Sequence, residues 1–108
     1  MIQLPITSLD DLLPIQPGQR TVLPLLDLPE RARLVAASLD AGAEVLPHPM
    51  PREATVLLLQ GAIEFYIGTV RHDLRPGDFL RVPGSASHAI RALEPSRIIV
   101  LQSHPTQG

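Results

Sequence analysis

The sequence predicts an all-β domain, a sandwich or barrel of short strands. Two observations carry that prediction. Twelve prolines and seven glycines punctuate the 108 residues and leave little room for long helices. Between them lie short runs rich in leucine and β-branched residues, at the close, even spacing typical of sandwiches and barrels.

The first element is the exception. Ser8 stands three residues before Asp11 and can cap a short helical turn over Ser8–Leu13. Strand runs follow at Thr21–Leu26 and Arg33–Leu39. The next stretch, LPHPMPREA (Leu46–Ala54), places Leu46, His48 and Met50 each before a proline, which favours extended geometry. In a β-like backbone His48 and Met50 then project to the same side. Thr55–Leu59 contains the run VLLLQ, apolar on both faces, as expected of a strand buried between two layers. Ala62–Ile67 alternates, with Ile63, Phe65 and Ile67 on one face and Glu64 and Tyr66 on the other. It turns into Val70–Leu74. RPGD is a turn, with Pro76 and Gly77 supplying the fixed and the permissive dihedral. Phe79–Val82, His88–Ala92 and Arg97–Gln102 complete the set.

Composition narrows the chemistry. All nine basic residues are arginine, so lysine Schiff-base chemistry and a phosphate-loop lysine are excluded. Cysteine is absent, which removes thiol catalysis, thiolate metal sites and disulfides together. A net charge of −2 without a basic cluster predicts no nucleic-acid partner. No charged segment followed by an apolar run opens the chain, and no run approaches membrane-spanning length. The expectation is a soluble, cytoplasmic protein with no membrane partner.

The length suits one domain with a single core. Residues 1–30 are expected to form an arm that packs on the barrel or across a dimer, and residues 31–108 the barrel. A homodimer is expected because many strands in a short chain leave edges and apolar faces to cover.

Two spaced motifs bear on function. The first reads Gly42, AEVLP, His48-Pro49-Met50, PREATVLLLQ, Gly61; the second reads Gly77, DFLRV, Pro83-Gly84-Ser85, two residues, His88, three residues, Ala92. Residues 62–76 separate them. The spacing, and the flanking DAGAEVLPH and RPGDFLRVPG, resemble the two motifs of the cupins across about Arg33 to Leu101. That resemblance implies a small jelly-roll β-barrel of the RmlC-like kind whose open end holds a small molecule, sometimes with iron, manganese, nickel or zinc. Carried over residue by residue, the family's metal positions fall on His48, Met50, Ala54 and His88. Two imidazoles remain of the usual set. Ser85 replaces a glycine and Ala92 an asparagine.

The candidate pocket residues are therefore His48, Met50 and His88. His48 and His88 are the candidate metal ligands for a weakly held divalent ion (Zn, Ni, Fe or Mn), with Glu53 or His72 as a candidate third. Glu53 adjoins the lost acid's position, where a strand residue faces the opposite way unless a bulge intervenes. Catalytic zinc keeps three protein ligands, and non-haem iron uses two histidines and a carboxylate. Three readings stay open: a non-enzymatic binder or sensor with a partly lost metal site, a metal-dependent oxygenase or isomerase with an unusual third ligand, and metal-free acid–base chemistry on a histidine. The first is preferred because positions 50 and 54 no longer carry ligands. It implies a small-molecule partner.

Overall fold

The computed structural model describes residues 8–29, 31–49 and 52–103. Its one helix is the short turn α1, Leu9–Leu12, capped by Ser8, whose Oγ accepts the Asp10 N–H at 3.2 Å. The prolines and glycines then divide the chain into nine strands. These are β1 (Arg20–Leu28), β2 (Ala32–Leu39), β3 (Glu44–Pro49), β4 (Ala54–Gln60), β5 (Ile63–Ile67), β6 (Val70–Leu74), β7 (Phe79–Val82), β8 (Ser87–Ala92) and β9 (Ser96–Ser103). They form two antiparallel sheets in a jelly roll, ordered β1-β2-β9-β4-β7 and β3-β8-β5-β6.

Residues 20–28, within the segment expected to be an arm, are β1 at the edge of the larger sheet. The RPGD turn forms as expected. Gly77 has φ +93°, Asp78 N–H donates to the Arg75 carbonyl at 2.9 Å, and the Asp78 carboxylate accepts the Arg75 N–H at 2.9 Å.

Register sorts the larger sheet into two faces. Ala37, Ile98 and Leu58 align across β2, β9 and β4, as do Val35, Val100 and Val56, and these rows look inward. Facing them from the smaller sheet are Ile63, Phe65 and Ile90, and the two layers share one aliphatic core around Phe65. The alternation expected of β5 is present. The expectation for VLLLQ is corrected: Val56 and Leu58 are buried, Leu57 is half-buried and Leu59 exposed. β4 has one core face because the second layer covers the sheet on one side only.

The N-terminal turn docks on the outer face of the larger sheet. Leu13 is buried there, and Ser38 Oγ donates to the Pro14 carbonyl at 3.3 Å. Buried Arg97 donates from Nε to the Leu13 carbonyl at 2.9 Å, and from Nη1 to Asp10 Oδ1 at 2.6 Å and Gln60 Oε1 at 2.7 Å. These bonds satisfy a guanidinium that would otherwise be costly to bury. Residues 1–7, the start of the arm expected to pack on the barrel or across a dimer, lie outside the described residues.

Candidate functional site

The cavity between the sheets starts from a displaced register. β3 and β8 pair Glu44 with Arg91 and Val45 with Ile90, and then His48 with His88. β3 advances three residues where β8 advances two, so one residue is bulged in the Leu46-Pro47 stretch. In a regular strand, parity would turn His48 to the opposite face from Val45. The bulge restores it, and Val45 and His48 both line the cavity. Proline fits there because a bulged residue has no ladder bond to lose.

The two imidazoles meet edge to face, with ring centroids 4.2 Å apart and planes at 61°. On its other side His88 stacks on Phe65, at 5.7 Å between centroids and 7° between planes. His48 lies at the exposed rim, and its Nδ1 donates to the Leu46 carbonyl at 3.0 Å, because a carbonyl only accepts. That bond orders the ring and leaves Nε2 with a lone pair when the ring is neutral. His88 is only 6% exposed, and its buried Nδ1 has no partner among the described residues. Burial, and secondarily the charge of His48, hold its pKa below the ordinary histidine value.

The cavity has a volume of about 210 Å³. Its wall is aliphatic apart from Phe65 and four polar side chains: His48, His88, Arg20 and Gln102. Arg20 on β1 and His48 on β3 come from edge strands of the two sheets, and both are exposed. Sequence reasoning missed Arg20 and Gln102. The parity Ile98, Val100, Gln102 was visible in β9, whereas Arg20 emerges only when β1 pairs Arg20 with Leu39.

Ala54 lines the cavity, so the position at which the cupin motif carries an acid does face the site, and here presents a methyl group. Glu53 does not line the cavity. Its carboxylate is exposed and forms an ion pair with Arg81, as strand parity without a bulge dictates. His72 is half-buried opposite Phe65 but is not part of the cavity wall. Met50 lies outside the described residues. Arg91 is exterior, 4.0 Å from Glu44.

A metal can be tested against this donor set. Among the described residues no cluster of three His, Asp or Glu side chains is present. Two imidazoles and an alanine do not fit the three-ligand sets of catalytic zinc or non-haem iron.

The motif spacing and the barrel agree with what comparison finds. The cupin domain family model matches residues 36–102. A conserved protein of unknown function from Streptococcus pyogenes superposes with a TM-score of 0.87 at 22% identity, over 99% of this chain and 93% of that one. A cupin superfamily protein from Desulfitobacterium hafniense gives 0.86 at 22% identity, over 97% and 95%. KdgF from Halomonas sp. gives 0.75 at 29% identity, over 85% and 84%. No curated protein matches the chain in sequence. With the model covering most of the chain and both motifs placed around one cavity, this chain belongs to the cupin family.

Proposed function

We propose that the protein is a non-enzymatic small-molecule binder or sensor, a cupin barrel that has kept its pocket and lost part of its metal site. One observation carries this reading. Ala54 faces the cavity where the motif's acid would stand, and neither Glu53 nor His72 replaces it. What is left is an aliphatic hollow with polar groups at a few positions, the usual character of a small-molecule pocket.

A metal-dependent cupin enzyme is the second reading, and one feature favours it. Ring centroids 4.2 Å apart bring His48 and His88 close enough to share an ion. Elemental analysis separates the two, on untagged protein never exposed to a metal column, beside His48→Ala and His88→Ala. The binder reading expects well under one metal ion per chain. Near-stoichiometric metal, lost in both variants, overturns it and requires a third ligand.

A further inference from the structure

Resting on that reading, we propose that the ligand is a monocarboxylate with a compact apolar body, its carboxylate at Arg20 and its body against the aliphatic wall. The polar inventory points one way. Among the described residues, no Asp or Glu lines the cavity, whereas a guanidinium, two imidazoles and an amide do. Arg20 also has no ion-pair partner among the described residues. An acid headgroup is the natural complement of a guanidinium at the rim of such a cavity.

The wall disfavours the other small-molecule classes. A cation would meet Arg20. A polyol or sugar would bury several hydroxyls against Val22, Val35, Val45 and Val56, which offer them no partners. A neutral hydrocarbon would fill the aliphatic wall without using the guanidinium at its rim. The cavity measures about 210 Å³. That suits a short aliphatic or single-ring acid. The exposed guanidinium alone would add little affinity, because a rim ion pair is screened by water. The apolar body supplies the affinity, and Arg20 selects the charged head.

The test compares hexanoate, hexanol and hexylamine on the full metal-free chain, by calorimetry and by NMR shifts of the Val22, Val45 and His88 resonances. Hexanoate should bind about two- to fivefold more tightly than hexanol, move those resonances, and leave hexylamine behind. Arg20→Gln should bring hexanoate to the hexanol level without changing hexanol, and Arg20→Lys should retain part of the difference. Equal binding of hexanoate and hexanol, or a preference that survives Arg20→Gln, overturns the acid proposal and leaves the binding barrel standing. Failure of all three probes on wild type also overturns it. Near-stoichiometric metal in the protein as purified would overturn the binder reading instead, whatever the three probes do.

Discussion

Ser85 holds a backbone φ of +69°, the left-handed region that glycine occupies without cost. It stands where the second cupin motif carries a glycine, so the turn has kept its geometry after losing the residue that suits it. Its side chain is exposed and makes no packing contribution that glycine would forfeit. Ser85→Gly should therefore raise the unfolding free energy by about 1 kcal/mol, after allowing for the looser unfolded chain. A higher urea midpoint with an unchanged m-value is the expected result; a fall would show that the turn is not left-handed in solution.

His88 supplies a pH dependence at the same scale. Above the ordinary histidine pKa of about 6.5 it is neutral in both folded and unfolded chains. Below that, the unfolded chain takes up a proton that the buried ring resists, so stability declines as pH falls toward the folded pKa and then levels. Urea midpoints between pH 7.5 and 5 should drop for wild type, and less steeply for His88→Gln. Parallel slopes would remove His88 as a source.

At the scale of elements, turns and alternation were legible because each rests on local chemistry. The RPGD turn and the alternating β5 follow from the chain's own dihedrals and period. Features that depend on a neighbour were not legible. Proline spacing predicted that LPHP would be extended, but the bulge that returns His48 to the cavity exists only against β8. The contrast between Glu53 and Ala54 could be read from parity alone, since neither belongs to that bulge. Arg97 reads as an ordinary strand residue, yet it anchors α1 through the Leu13 carbonyl and the Asp10 carboxylate, both far away in sequence. Likewise Gly61 closes the first motif with φ +91°, and an added Cβ would lie 2.7 Å from the Ser96 Cα. Its spacing was visible, but the backbone it must admit was not.

At the scale of the whole molecule, the outer face of the larger sheet carries exposed apolar side chains beside the part that the N-terminal turn covers. On the outside of the larger sheet, register aligns Leu26, Leu34, Leu101, Thr55 and Arg81 across all five strands, beside Leu57 and Phe79. Phe79 is 68% exposed, Leu26 51% and Leu101 47%. The charged member of these rows, Arg81, is paired with Glu53 at the β7 edge. A contiguous apolar face of this kind marks an interaction surface, and its near neutrality lets two copies approach without repulsion. We infer that a second copy covers it, related by a two-fold axis that sets the same residues against each other. Sedimentation should give a dimer for wild type. Leu101→Asp and Phe79→Asp each put a charge into that face and should yield a monomer with unchanged circular dichroism. Both side chains point away from the core, so loss of fold is not the expected outcome. A wild-type monomer, or a dimer that tolerates both aspartates, would mean that copies of this chain do not associate through this face.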